Sequence, residues 1–277
     1  MRLRSLLFVP GDRPDRMVKA LAAGADALIL DLEDSVAPAN KRAARRAIAD
    51  FLDGTERSCK LFVRLNPLDS EFCDDDLAEV LDSRPDGLVL PKAEGAASVR
   101  KLADRSSIPI LPIASETPAA VFRLGDYAEV AGALAGLTWG AEDLPAAIGA
   151  AASRDESGAY LPPYQLVRAL VLFGAAAAGV SPIETVYPDI KDLTGLQRTA
   201  ETAARDGFTG MMAIHPAQVP VINAAFTPAP EAVEKARAIV AAFEANPDAG
   251  ALQLDGKMID APHLKQARRI LERAALS

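Results

Sequence analysis

Short apolar runs alternate with segments of helical spacing from the start of the chain to about residue 226, and no other feature narrows the fold as far. Residues 5–9 read as a strand. Pro10 and Gly11 turn the chain, and Pro14 opens a helix to about Ala23, since proline suits a first helical turn. Further strands are expected at 27–31, 60–65, 87–90, 108–113, 134–139, 183–186 (a weak one) and 210–214. Helical spacing covers 41–51, 72–81, 96–103, 163–178 and 192–206. Eight strand–helix units in series favour an α/β fold of the TIM (β/α)8 barrel type, failing which a doubly wound sheet. The strands are near-continuous apolar runs, as parallel strands buried on both faces should be. "FVPGDRP" after the first strand holds one glycine, too few for a dinucleotide fingerprint, so a Rossmann fold loses its main support.

Beyond Phe226 the segment "TPAP" breaks the pattern. A helix at 231–246, a hairpin turning at Asp255-Gly256 and a closing helix from about Pro262 are expected there. The chain therefore reads as a barrel domain over 1–226 with an appended extension over 227–277, packing on the barrel or on a neighbouring subunit.

Half of the residues are apolar, enough for a full core without disulfides. Cys59 and Cys73 are the only cysteines, there is no secretory leader, and the start is charged (Arg2, Arg4); a reducing, cytoplasmic setting is expected. No apolar run reaches the ~18 residues of a membrane span. The alanine-rich stretch 166–180 is too short, carries Arg168 and reads as a buried helix. The net charge of -8 argues against nucleic-acid binding but leaves room for an anionic small substrate drawn into a locally basic cleft.

In a barrel, chemistry sits where the strands end. The expected strand ends carry Asp31 with Glu33 and Asp34, Arg64 with Asn66, Lys92, Glu116, Glu142 with Asp143, and His215. Carboxylates without cysteine or histidine partners suit magnesium, which takes one or two of them and completes its shell with water and substrate oxygens. Glu116 and Asp143 are the pair that best fits. With only His215 and His263, and no ligand spacing between them, zinc is disfavoured; without a "GxSxG" elbow, so is a serine triad. Plainer readings stay open. Glu116 in "ASETPAA" and Asp143 in "GAEDLP" could be helix-start carboxylates, and Arg64 a strand-end ion-pair partner. Lys41, Arg42 and Arg45 read as a solvated helix face.

The motifs "SLLFVPGDRPDRMVKA", "ALILDLEDSVAPANKRAAR", "VRLNP", "VLPKAE", "ASETP", "WGAEDL" and "IHPAQV", in this order, closely resemble the citrate lyase beta subunit family and its malyl-, citramalyl- and hydroxymethylglutaryl-coenzyme A lyase relatives. The resemblance spans nearly the whole chain, to "GKMIDAPHL". It implies a TIM barrel assembled as a homotrimer or hexamer, and magnesium held by Glu116 and Asp143. It implies substrate contact by Arg64, and coenzyme A near Phe8, Arg13 and Lys19. Asp260 matches an aspartate that in some relatives reaches a neighbouring subunit's site; the alternative is a cap on the last helix.

The reaction so implied is cleavage of a 3-hydroxyacyl thioester into a keto acid and acetyl-coenzyme A. Arg64 would stabilise the thioester enolate and Asp260 would move the proton at its carbon. A citryl-acyl carrier protein lyase subunit working in a complex is one alternative. A pyruvate-dependent hydroxy-keto-acid aldolase is another, less favoured because those relatives use an early histidine and none precedes His215.

Overall fold

The apolar runs pair into a parallel sheet in the computed structural model, which describes residues 1–156 and 158–275. The chain divides into two units, one over Leu3–Asn223 and one from Ala224 onward. In the first, strict alternation holds for β1 (Ser5–Pro10), α1 (Pro14–Ala20), β2 (Ala27–Asp31), α2 (Lys41–Gly54), β3 (Lys60–Arg64), α3 (Cys73–Val80), β4 (Gly87–Leu90), α4 (Ala96–Ala103) and β5 (Ile110–Pro112). Then come α5 (Pro118–Val121), α6 (Asp143–Ile148), α7 (Pro162–Ala178), β6 (Ile183–Glu184), α8 (Leu193–Asp206), β7 (Gly210–Ala213) and α9 (Val219–Phe226), within which the division falls. The seven strands run in the order β5-β4-β3-β2-β1-β7-β6, all parallel.

Side chains alternate between the faces of a strand, so one face can be followed residue by residue. Leu6 of β1, Ala27 and Ile29 of β2, Phe62 of β3, Val89 of β4, Leu111 of β5 and Met212 of β7 fill one buried cluster. Two residues on from Ile29 and from Phe62 stand Asp31 and Arg64, and the strand register pairs these two directly. The periodicity that buries isoleucine and phenylalanine thus delivers an aspartate and an arginine to the same face where the strands end. Gly87 is what admits the large ring of Phe62: a Cβ there would lie 2.6 Å from it.

The regular sheet has seven strands rather than the expected eight. Residues 134–139 make only isolated parallel bridges, Ile110↔Leu134 and Ile113↔Thr138 towards β5 and Leu137↔Pro182 towards β6. Pro112, whose carbonyl faces this segment, has no N–H to donate to it, so the ladder towards β5 loses a rung. The strands expected at 108–113 and 183–186 are shorter, at Ile110–Pro112 and Ile183–Glu184.

A second correction concerns α2. Its buried positions are 41, 44, 45, 48, 51 and 52, a helical stripe that includes Lys41 and Arg45; only Arg42 of the three cations is exposed. Charge pointed to a solvated face, but spacing put two of these cations inside. No helix among the described residues is long and apolar enough to cross a membrane. Cys59 and Cys73 are unpaired thiols.

The second unit contains α10 (Pro230–Glu244), β8 (Ala251–Leu254), β9 (Lys257–Asp260) and α11 (Ala261–Ala275). Its core is small, built on Ala236, Ile239, Ile259 and Ala267. Leu254 pairs with Lys257 across a two-residue turn, and Asp255 and Gly256 take φ of 50° and 73°, as a primed hairpin turn requires.

Candidate active site

The strand ends of the first unit open into a cavity of about 940 Å³, with Phe8, Asp31, Arg64, Glu116 and Asp143 in its wall. Asp31 is fixed by its own turn: its oxygens accept the backbone N–H groups of Glu33 at 2.9 Å and Ser35 at 3.1 Å. Arg64 grips the same carboxylate with two prongs, Nε to Oδ1 at 2.7 Å and Nη2 to Oδ2 at 2.8 Å. Its Nη1 lies 2.8 Å from Glu33 Oε2 and 3.7 Å from Asp34. The Phe8 ring faces the guanidinium carbon at 4.9 Å. Lys92 Nζ donates to Glu33 Oε1 at 2.8 Å.

Burial by itself would raise the Asp31 pKa, but the hydrogen bonds and charge of Arg64 outweigh it and hold the carboxyl below its ordinary value. Burial likewise opposes the charge on Arg64, and Asp31, Glu33 and Asp34 outweigh that in turn, so the guanidinium is held more firmly protonated. Two-pronged pairs of this kind fix orientation as well as charge.

Glu116, between β5 and α5, is only 4% exposed. Its Oε2 accepts the backbone N–H of Lys92 at 2.5 Å. Lys92 takes a left-handed backbone with φ 49°, unusual for a residue with a side chain. Gly140 makes room on the other side: a Cβ there would lie 2.9 Å from Glu116 Cγ. Asp143, the first residue of α6, lines the same cavity and sets its carboxylate near the Glu116 carboxyl. Burial first, then the negative charges of Glu33 and Asp143, push the Glu116 pKa up to about 8.

Among the described residues no three histidine, cysteine or acidic side chains converge as a complete ligand set. Magnesium does not need one, because one or two carboxylates suffice when water and substrate complete its shell. The Glu116–Asp143 pair fits that donor chemistry. Glu116 is buried and Asp143 half-buried, both hard-oxygen donors, and the nearby Lys92 gives its ammonium to Glu33 instead.

The remaining expected site residues are spread more widely. Lys19 lines the cavity but its side chain is 79% exposed and lies 3.6 Å from Asp15. Arg13 is not in the cavity wall and sits 3.9 Å from Asp12 with most of its side chain in solvent. Arg16, one helical turn on and not singled out from the sequence, does line the wall. Helical spacing of three on α1 was the signal available for it. His215 lines the cavity as well, while its Nδ1 accepts the N–H of Ala217 at 3.1 Å, a capping role. Asp260 belongs to the second unit. Its Oδ1 lies 2.6 Å from His263 Nδ1, and that bond together with the backbone N–H of His263 lowers its pKa.

Comparison with known proteins adds the following. Residues 4–216 match the family model described as HpcH/HpaI aldolase/citrate lyase, and residues 164–277 match one described as a C–C bond lyase of the TIM-barrel fold. The chain is 40% identical to the citrate lyase subunit beta-like protein of Mycobacterium tuberculosis, over 97% of this chain and 94% of that one. It is 34% identical to mitochondrial citramalyl-CoA lyase of Mus musculus, over 97% and 85%. It is 33% identical to (3S)-malyl-CoA thioesterase of Cereibacter sphaeroides, over 98% and 94%. A crystal structure of protein CitE from M. tuberculosis in complex with magnesium, acetoacetate and coenzyme A superposes with a TM-score of 0.85 at 36% identity, covering 99% of this chain and 98% of that one.

Proposed function

The chain belongs to the HpcH/HpaI aldolase/citrate lyase family, and from that premise we propose that it is a magnesium-dependent carbon–carbon lyase acting on a 3-hydroxyacyl-coenzyme A thioester. The substrate class is citramalyl-, malyl- or hydroxymethylglutaryl-coenzyme A, and the products are a keto acid and acetyl-coenzyme A. The observation that carries the proposal is the pair of buried Glu116 and half-buried Asp143, a metal-ready set of oxygens lining the same cavity as the clamped Arg64 guanidinium.

We read residues 134–139 as the eighth stave of a TIM barrel, supported by their parallel bridges on both sides. Residues 1–226 are then the catalytic barrel and 227–277 an extension. Glu116 and Asp143 would hold magnesium, which when bound supplies Lewis acidity towards the substrate carboxylate and the oxygen beside it. In cleavage the 3-hydroxyl gives its proton to water, the bond between C2 and C3 breaks, a carbonyl forms at C3, the electron pair passes into the thioester as an enolate, and the enolate carbon takes up one proton from the solvent pool, so that no net proton is gained or lost. Arg64 faces that developing negative charge with a side chain already fixed by Asp31 and Glu33, so little reorganisation is needed in the transition state. Phe8 packs against the guanidinium and limits its movement. Asp260 of a neighbouring copy in a homotrimer or hexamer moves the proton at the enolate carbon. Lys19 and Arg13, on and just before α1, neutralise coenzyme phosphates. A cytoplasmic setting suits this chemistry.

The test is to incubate the protein and magnesium with citramalyl-, malyl-, hydroxymethylglutaryl- and citryl-coenzyme A, and with a citryl group on acyl carrier protein, and to identify products by mass spectrometry. Release of a keto acid with acetyl-coenzyme A supports the reading. Release of free coenzyme A alone would make the protein a thioesterase. Turnover only of a citryl group on acyl carrier protein would make it a citrate lyase subunit. Subunits carrying Asp260→Asn mixed with subunits carrying Arg64→Ala should recover activity if sites are shared between copies. Mixed assemblies without recovery would remove the neighbouring Asp260 from the mechanism.

A further inference from the structure

Behind the Arg64 cluster lies a second buried polar network that the proposed reaction does not use. Lys41, at the start of α2, is only 6% exposed. Its ammonium donates to three acceptors: the carbonyls of Leu32 at 2.6 Å and Glu33 at 2.7 Å, and Asn66 Oδ1 at 2.8 Å. Asn66 is held in turn by Asp76, whose Oδ2 accepts its backbone N–H at 2.9 Å and its side-chain Nδ2 at 2.7 Å. Arg45 Nε stands 3.1 Å from Asp76, and its Nη1 donates to Asp75 at 2.8 Å.

The placement of the three acceptors matters. Leu32 and Glu33 form the turn after β2, the same turn whose N–H groups orient Asp31 and whose Glu33 carboxylate meets Arg64 Nη1. Asn66 lies two residues after Arg64 on the exit of β3. One ammonium therefore ties together the two chain segments that carry the arginine and its acidic partners. Two backbone carbonyls turned inward on one short segment would repel each other and loosen the turn without a buried cation between them.

We propose that Lys41 is a positioning residue: it fixes the turn after β2 against the exit of β3 and so sets the direction of the Arg64 guanidinium in the cavity. That Arg64 then acts on substrate rests on the function proposed above. That Lys41 orients Arg64 does not, and the two can fail separately.

The test is Lys41→Met, which keeps the length of the side chain and removes its hydrogen bonds. Exchange of the Arg64 Nε proton with solvent is followed by NMR in arginine-labelled protein. Arg168 serves as an internal reference, because its Nε donates to buried Glu184 at 2.6 Å far from this network in sequence. Exchange at Arg64 is expected to quicken by about tenfold or more while Arg168 is unchanged, since only the local opening is eased. No change at Arg64, or equal quickening at both arginines, overturns the proposal. If Lys41→Met does not fold, Asn66→Ala removes one of the three acceptors and should give a smaller effect of the same selectivity, with the same overturning results. In activity, Lys41→Met is expected to lower kcat by about 10–100-fold with little change in KM. It should cost little more in an Arg64→Lys background, because residues acting through one another are non-additive. Full additivity would count against the proposal. If the wild type cleaves none of the thioesters, the lyase reading falls while proton exchange still decides the role of Lys41.

Discussion

Asp31 and Glu116 are both buried carboxylates in the wall of one cavity, and their surroundings push them in opposite directions. For Asp31 the chain supplies the counter-charge itself, a two-pronged guanidinium backed by two backbone N–H groups. For Glu116 it supplies one backbone N–H and sets other carboxylates nearby. The first arrangement is complete and holds the Arg64 guanidinium fixed in the cavity wall. The second is incomplete without a proton or a cation from outside. Burial is common to both, so the partner and not the depth decides the charge state.

The widest separation between the two should come from deleting one partner in each. Arg64→Met leaves Asp31 and Glu33 buried without their main cation, and unfolding in denaturant should show a loss of about 3–5 kcal/mol. Glu116→Gln near pH 7 replaces a carboxyl that already holds its proton, so the metal-free protein should change by less than about 1 kcal/mol. The same Glu116→Gln variant should lose the rise in Tm that magnesium gives the wild type, a ligand-linked effect. If the two substitutions destabilise alike, the contrast between a completed and an incomplete charge cluster is wrong.

How much of this contrast could be read from the sequence depends on the kind of signal. The strand at 27–31 and its aspartate were legible because an apolar run ending in an acid is a local pattern. That Asp31 would lie opposite Arg64 was not, because register between strands is set by packing over more than thirty residues of separation. Glu116 and Asp143 could be chosen as a pair from their positions at strand ends. The agent that holds Glu116, the Lys92 backbone in a left-handed turn, has no sequence signature, since lysine is an unusual residue for that conformation. Lys41 and Arg45 look solvated when their charge is weighed above their helical spacing, which places them on the buried stripe of α2. Their acceptors on the β2 turn, on α3 and beyond β3 appear only once the chain is folded. Part of the missing regularity at 134–139 is legible in Pro112, which cannot donate to the ladder it faces.

A smaller effect separates the two carboxylates by pH. The folded pKa of Glu116, about 8, lies above its ordinary 4.5, so between those values the folded carboxyl keeps a proton that the unfolded one has lost. Its contribution to the stability of the metal-free protein is therefore present below about 4.5 and lost as pH rises through about 8. Asp31 has the opposite sign: its contribution is present above the ordinary carboxylate pKa and lost as pH falls through its lowered one. If Glu116 ligates magnesium as proposed, its proton must leave on binding, so magnesium affinity should rise with pH up to about 8. Calorimetry at pH 6.5 in buffers of unlike ionisation enthalpy should register close to one proton released, a pH chosen roughly midway in that window. Asp143→Asn removes one of the charges that raise Glu116 and should move the upper edge of the window down; an unmoved edge would show that Asp143 does not act on Glu116.

The smallest effect tests the residue that joins the two clusters. Lys92 gives its backbone N–H to Glu116 and its ammonium to Glu33, from a backbone at φ 49°. A left-handed backbone costs a residue with a Cβ about 1–2 kcal/mol, and glycine escapes most of that. The ion pair to Glu33 stabilises less than its 2.8 Å suggests, because the Lys92 side chain is 36% exposed and water screens it. Lys92→Met keeps the backbone cost and loses the pair; Lys92→Gly loses the pair and is relieved of the cost. The glycine variant should therefore be the more stable of the two by about 1 kcal/mol in urea unfolding and should lie close to the wild type. Both retain the N–H that Glu116 needs, so both should keep the magnesium-dependent rise in Tm. A methionine variant as stable as the glycine one would mean that the left-handed turn carries no strain, and that Glu116 is held at no cost to the fold.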